Sequence, residues 1–216
     1  EAMRDDPMIN LSIIVTDQHL NPKFGATLSE IKRDFANIFS VPMHQKDGTR
    51  VSRARALGVC VEGIAAVLED ISPDMLILYG DRGEVMAAAL SATTLNIPIA
   101  HLQGGDLSGN TDEVMRHAVT KLSHLHFPST EKSGARIRLM GEESWRVHVV
   151  GDNHVDAIVA GKFTDESTVR ESFSIPLDES PIIVLLHPET THVRDGYKDM
   201  RVILESTAVE SRRTFV

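Results

Sequence analysis

Short apolar runs alternate with longer stretches of helical period along most of this chain. Residues 9–16 are β-branched and apolar (Ile9, Leu11, Ile13, Ile14, Val15) and predict a strand. A polar loop with Pro22 and Gly25 as breakers follows. Leu28, Ile31 and Phe35 then recur at helical spacing. Residues 38–41 predict a short strand ended by Pro42, and Asp47-Gly48 marks a turn. Over residues 52–69 a long helix is predicted, with Ala54, Leu57, Val61, Ile64, Ala65 and Leu68 on one face. Strands are predicted over 75–79 and 97–100, joined by an Ala-rich helix over 84–95. A helix from Thr111 to about Ser123, a strand over 124–127, a helix capped by Ser129 or Thr130, and a strand over 145–150 complete the series.

Strand–helix units repeated at this length predict an α/β fold, with a parallel sheet covered on both faces and right-handed crossovers. Residues 161–179 are more polar, contain Pro176, and read as a linker. Residues 181–186 form a new apolar run ending at His187-Pro188-Glu189, with a helix near 198–206. The expectation is a Rossmann-like first domain over 1–165 and the beginning of a second over 178–216. The first residues resemble a last helical turn and residues 213–216 a strand just starting. The chain is therefore expected to be cut at both ends, with its opening strand absent.

Composition narrows the class. Of the 216 residues, 42% are hydrophobic and 25% charged, values typical of a soluble globular protein. A net charge of −9 argues against a binder of nucleic-acid backbones, yet leaves room for a nucleotide ligand, which needs only a few N–H groups and an Arg. The single Cys60 cannot form an internal disulfide, and its apolar flank points to a buried thiol. No run is long and apolar enough for a membrane span and no signal peptide is evident, so a cytoplasmic location is expected.

Open α/β sheets bind ligands beyond the carboxyl ends of their strands. Two strands here stop at polar clusters. Residues 75–79 end at Gly80-Asp81-Arg82, where Asp81 can serve as a base or bind sugar hydroxyls and Arg82 can hold phosphate. The run over 97–100 ends at His101-Leu102-Gln103-Gly104-Gly105-Asp106-Leu107-Ser108-Gly109, a Gly-rich loop that can expose backbone N–H groups ahead of a helix. It lacks both the G-x-G-x-x-G spacing and a P-loop Lys. On the helix that follows, Glu113, Arg116, His117 and Lys121 share one face at i, i+3 and i, i+4. His124 and His126 would point to one side of a strand, but no third ligand is fixed by spacing, so a metal site is not expected. His187 closes an apolar strand where it can act as acid or base.

These residues resemble the hydrolysing UDP-N-acetylglucosamine 2-epimerases of the sialic-acid pathway type. The resemblance rests on Gly80-Asp81-Arg82, on His101-x-x-Gly104-Gly105-Asp106-x-Ser108-Gly109, and on the run from Asp112-Glu113 through Arg116-His117-Ala118 to Phe127. His19-Leu20, Phe24-Gly25, Gly151-Asp152 and His187-Pro188 extend it over nearly the whole chain. It implies a glycosyltransferase-B-like pair of Rossmann-like domains with a UDP-sugar between them. It also implies that UDP-N-acetylglucosamine is converted to N-acetylmannosamine and UDP through a 2-acetamidoglucal. Asp81, Glu113 and His187 would form the reactive set; Arg82, Gln103, Gly104, Gly105, Asp106, Ser108, Arg116 and His117 would bind substrate. No metal or nicotinamide is implied, and a dimer or tetramer of identical chains is expected. One position departs from the pattern. The family often carries Glu where this chain has Gln103, and an amide cannot exchange a proton near neutral pH. The resemblance therefore leaves room for a nucleotide-linked 2,4-diacetamido sugar of the legionaminic type, and for the non-hydrolysing branch, whose loop usually differs from Gly104-Gly105.

Overall fold

A computed structural model describes residues 2–109, 111–186, 196–210 and 212–216. The chain forms two compact units, Glu1–Asp152 and Asn153–Val216. Both are α/β.

The first unit begins with one helical turn, α1 (Ala2–Asp5), and strand β1 (Ile13–Thr16). β1 pairs in parallel with β2 (Ile38–Val41) in the register Ile13 with Ile38 and Thr16 with Val41, and α2 (Leu28–Asp34) connects them. A 22-residue helix, α3 (Arg50–Ile71), follows, its N-terminus capped by the Thr49 hydroxyl accepting from Ser52 N–H. β3 (Leu76–Tyr79), β4 (Ile99–Leu102) and β5 (Leu125–Phe127) form a parallel sheet with β4 in the middle, connected by α4 (Gly83–Thr94) and α5 (Thr111–Leu122). After α6 (Glu131–Leu139), residues 147–150 run beside β5. Val147 bridges His126 in parallel, and His148 and Val150 N–H donate to the carbonyls of His126 and Pro128. The strand expected over 145–150 thus starts two residues late, because residues 144–146 curl into a 3₁₀ turn.

The core lies between α3, α4 and the sheets. Cys60, Ile64 and Leu68 of α3 pack with Ala87, Ala89 and Ala92 of α4, Leu78 of β3 and Ile99 of β4. Small side chains let the two helices approach closely, and the Ser91 hydroxyl donates across the gap to Val61 O at 3.0 Å. Cys60 is buried as expected; burial raises its thiol pKa, which keeps it protonated and inert. The expectation of a sheet covered on both faces is not met at β3 among the described residues. Leu78 is buried, whereas Ile77 and Tyr79, on the opposite face, stay 43% and 38% exposed.

The second unit holds α7 (Asn153–Val159), α8 (Glu166–Ser172), β6 (Ile182–Ile183), α9 (Gly196–Ala208) and β7 (Thr214–Phe215), with β6 and β7 paired in parallel. The segment read as a linker from its polarity contains α8. The Asp165 carboxylate caps α8 by accepting from Thr168 N–H at 3.0 Å. Phe173 then packs edge-on against Phe215, and Arg213 bonds the Ser174 carbonyl at 2.6 Å. Local capping and one aromatic contact override the composition signal there.

Gly63 of α3 faces β2 so closely that a Cβ would lie 2.5 Å from Val41 Cγ1. Gly63→Ala is expected to destabilise the chain by about 1–3 kcal/mol through overpacking. Part of the loss should return in the double variant with Val41→Ala. Urea midpoints of the three variants test this; strictly additive losses would reject a direct clash.

Candidate active site

The carboxyl ends of β3 and β4 lie side by side. Tyr79 pairs with Leu102, and Gly80 N–H donates to Leu102 O, so the register places Gly80 beside Gln103. The sequence ended the second strand at residue 100; the ladder extends it to Leu102. His101 is therefore a strand residue, and it is fully buried. Its Nε2 lies 2.8 Å from Gly80 O, an acceptor only, so Nε2 carries the hydrogen. Nδ1 faces the Thr120 hydroxyl of α5 at 3.2 Å. Burial lowers the imidazole pKa to about 4, with the Gly80 carbonyl opposing the shift, so His101 is a neutral brace between β3, β4 and α5.

The Gly-rich loop is shaped by packing. Gly104 and Gly105 are buried. A Cβ on Gly104 would meet Thr120 Oγ1 at 2.9 Å and His101 Nδ1 at 3.0 Å, and one on Gly105 (φ +85°) would meet Ser133 O at 2.4 Å. The glycines let the loop lie flat on α5 and α6. The Ser133 hydroxyl donates to the Asp106 carboxylate and Arg136 Nη1 to Gly105 O, which anchors the loop to α6.

Arg116 draws the cluster together. Its side chain is 12% exposed; Nη2 pairs with the Asp81 carboxylate and Nη1 donates to Asp106 O at 2.8 Å, with Ser108 Oγ at 3.5 Å. One side chain of α5 thus holds the loops after β3 and β4. Glu113, one turn earlier, accepts from Ser108 and Gly109 N–H through the same Oε2, at 2.7 Å each. Those two bonds hold its carboxyl below the usual range, so it is ionised at neutral pH. His117 follows on the same face, with Nδ1 buried and unpartnered among the described residues.

Arg82 points elsewhere. It bridges Asp17, just past β1, at 2.7 Å and also pairs with Glu84. Burial would lower its pKa, but the two carboxylates outweigh that and raise it. A phosphate at Arg82 would have to compete with both acids. Lys121 also leaves the cluster despite its helical spacing. It pairs with Glu142, which His126 Nε2 contacts at 3.2 Å. His124 Nδ1 accepts from Ile99 N–H at 3.1 Å. Gln103 has φ +58° and donates from Nε2 to Asp152 Oδ2 at 3.0 Å. His187 lies outside the described residues.

A profile of the family described as UDP-N-acetylglucosamine 2-epimerase matches residues 1–216. The chain belongs to that family. It is 39% identical over 186 residues to the UDP-N,N'-diacetylbacillosamine 2-epimerase (hydrolyzing) of Legionella pneumophila, covering 86% of this chain and 49% of that protein. It is 30% identical to the GDP/UDP-N,N'-diacetylbacillosamine 2-epimerase (hydrolyzing) of Campylobacter jejuni, covering 94% and 53%. Identity is also 30% with the UDP-N-acetylglucosamine 2-epimerase of Neisseria meningitidis serogroup B, covering 88% and 49%. The chain thus spans about half the length of these relatives. A putative UDP-N-acetylglucosamine 2-epimerase from Listeria monocytogenes superposes with TM-score 0.74 at 18% identity, covering 95% of this chain and 54% of that one. The Neisseria meningitidis enzyme bound to UDP-GlcNAc superposes with TM-score 0.67 at 23% identity, covering 84% and 50%. These likenesses confirm the glycosyltransferase-B-type α/β fold expected for the family.

Two features of this epimerase-family chain lay beyond the sequence reading. Asp17 meets Arg82 across 65 positions, with no motif to link them. Asp152 belongs to the Gly151-Asp152 pair of the resemblance and follows an apolar run, the same signal that marked Asp81, yet its partner Gln103 is 49 residues away.

The imidazole of His101 titrates near 6.5 when unfolded and near 4 when buried, so the unfolded chain binds more protons between those values. Stability should be complete above pH 6.5 and fall on acidification toward pH 4, by on the order of 3 kcal/mol from this group. Urea unfolding at pH 7 and pH 4.5 should show a smaller pH difference for His101→Gln than for the unchanged chain. An equal difference would remove His101 as the source.

Proposed function

We propose that the whole protein of which this chain is part is a hydrolysing 2-epimerase acting on a UDP-linked 2,4-diacetamido sugar of the N,N'-diacetylbacillosamine type. The observation that carries this reading is the 39% identity over 86% of the chain to a relative named for that activity. Gln103 supports it, because an amide at this rim suits hydrogen bonding to an acetamido group better than proton transfer.

In this reading residues 1–165 supply the sugar-facing domain and residues 178–216 begin the nucleotide-binding one. The proton at C2 passes to a carboxylate as the C1–O bond breaks and UDP leaves, giving a glycal. Water then adds its oxygen at C1 and a proton returns to C2 from the other face. The sum is nucleotide sugar plus water to UDP plus the free 2-epimer. Asp81 and Glu113 are the carboxylates that move these protons, and His187 assists the diphosphate. Glu113 is ionised, the form a proton acceptor needs, and its two backbone bonds hold it in place while making it a weaker base. Arg116 fixes Asp81, and the remaining contacts to sugar come from the loop over 103–108 and from His117. Assembly into a homo-oligomer belongs to the same reading.

A second reading has UDP-N-acetylglucosamine as substrate, with N-acetylmannosamine and UDP as products. The 30% identity to the Neisseria meningitidis enzyme favours it. Mass spectrometry of products from the full-length enzyme, given UDP- and GDP-linked mono- and diacetamido sugars, separates these. Free diacetamido 2-epimer plus UDP is the expected result. Free N-acetylmannosamine establishes the second reading, and an intact epimerised nucleotide sugar overturns hydrolysis altogether. In the same enzyme Glu113→Gln should lower turnover about 100-fold or more, with an unchanged circular dichroism spectrum. Turnover close to that of the parent would remove Glu113 from the reacting set.

A further inference from the structure

Gln103 occupies an unusual place. It is a non-glycine residue in the left-handed region (φ +58°), a conformation that costs free energy and persists where surrounding structure enforces it. The enforcement is visible. Its N–H donates to Phe127 O at the end of β5, and its side-chain amide donates to Asp152 Oδ2 at 3.0 Å. Val150, two residues before Asp152, bonds Pro128 O. The ends of β4, β5 and the segment beyond them are therefore locked together through Gln103. The strand register puts Gln103 beside Gly80, one residue before Asp81, so the Gln103–Asp152 pair lies on the same rim as the Asp81–Arg116 pair.

The amide has two ends. A carboxylate accepts only, so Nε2 must face Asp152, which turns Oε1 away from it. Oε1 has no partner among the described residues. Asp152 thereby fixes an acceptor of known identity at the strand rim. With Glu at position 103 the same geometry would bring two carboxylates within hydrogen-bond distance, and they would repel or share a proton. The chain has instead one charge and one oriented neutral amide.

We infer that Asp152 is a specificity-determining positioning residue: by orienting the Gln103 amide, it presents Oε1 to an acetamido N–H of the sugar. The inference rests on the preceding proposal for the identity of that sugar, but not for the existence of the pair. A sugar with a hydroxyl in place of the second acetamido group offers a different donor at a different reach, so the pair discriminates through binding.

The test uses the full-length enzyme with UDP-linked mono- and diacetamido sugars, measuring kcat and KM for each. Asp152→Asn leaves the Gln103 amide free to reverse. It should raise KM for the preferred sugar about 10- to 100-fold while changing kcat less than about threefold, and narrow the preference between the two sugars. The double variant Gln103→Glu with Asp152→Asn rebuilds the bond with opposite polarity, again with an oxygen at position 103. It should recover most of the lost KM, whereas Gln103→Glu alone should not, and should add an ionisation to the pH profile. Unchanged KM and preference in Asp152→Asn would overturn the inference. So would equal loss of kcat and kcat/KM with a lowered melting temperature, the mark of a merely structural bond. If the enzyme instead prefers the monoacetamido sugar, the substrate proposal fails on its own. The KM change in Asp152→Asn, read on that sugar, still decides the role of the pair.

Discussion

The guanidinium of Arg116 is the constraint on which this rim depends. Strands β3 and β4 end beside each other, but their loops carry carboxylates and exposed carbonyls with no reason to converge. A nearly buried cation on α5 gives them one. It pairs with Asp81 after β3 and takes Asp106 O after β4. Breaking a buried ion pair from one side leaves an uncompensated charge and costs about 3–5 kcal/mol, less where solvent still reaches the pair, as it does at Asp81, which is 23% exposed. The loops and the helix that carries Arg116 are therefore coupled, and α5 cannot shift without moving Asp81.

Behind the guanidinium lies a neutral layer. His101 joins the Gly80 carbonyl to the Thr120 hydroxyl, whose single hydrogen lies within reach of both His101 Nδ1 and Arg116 O, so the backbone at the root of Arg116 is tied to β3 and β4. A charged imidazole there would face Arg116 directly, and burial prevents it. The glycines fit the same logic. They permit the loop to rest on α5 and α6, which brings Asp106 and Ser108 within reach of Arg116 and the Ser108 and Gly109 amides within reach of Glu113. A Gly-rich loop read as open to a ligand proves to be closely packed along its first half, and its polar atoms are organised by the packing.

The sequence carried much of this. Apolar runs, caps and helical spacing located β2, α3, α4 and α5 to within a few residues, most directly at α3, which buries the stripe Ala56, Cys60, Ile64 and Leu68. The end of β4 was misplaced by two residues because His101 is polar, and pattern reading cannot see that its two nitrogens are satisfied internally. Residues 161–179 read as a linker because α8 is short and polar and is started by the side chain of Asp165 rather than by an apolar face. Asp81, Glu113 and Arg116 were legible through strand ends and helix period. Lys121 shares their period but finds Glu142, an acid on a distant loop, which no local pattern encodes.

Pairings between strand ends are the information a linear pattern loses most completely, and they decide which hydrogen-bonding groups the rim presents. Gln103 alone is an ambiguous residue, able to donate or accept in either orientation. Asp152 removes the ambiguity, since a carboxylate tolerates only the N–H end of an amide. A carboxylate at 103 beside an intact Asp152 would trade a fixed hydrogen-bond acceptor for a shared proton. A fixed acceptor and a titrating group are thus exclusive states of the same point on the strand rim, and Asp152 determines which one the residue at 103 can be.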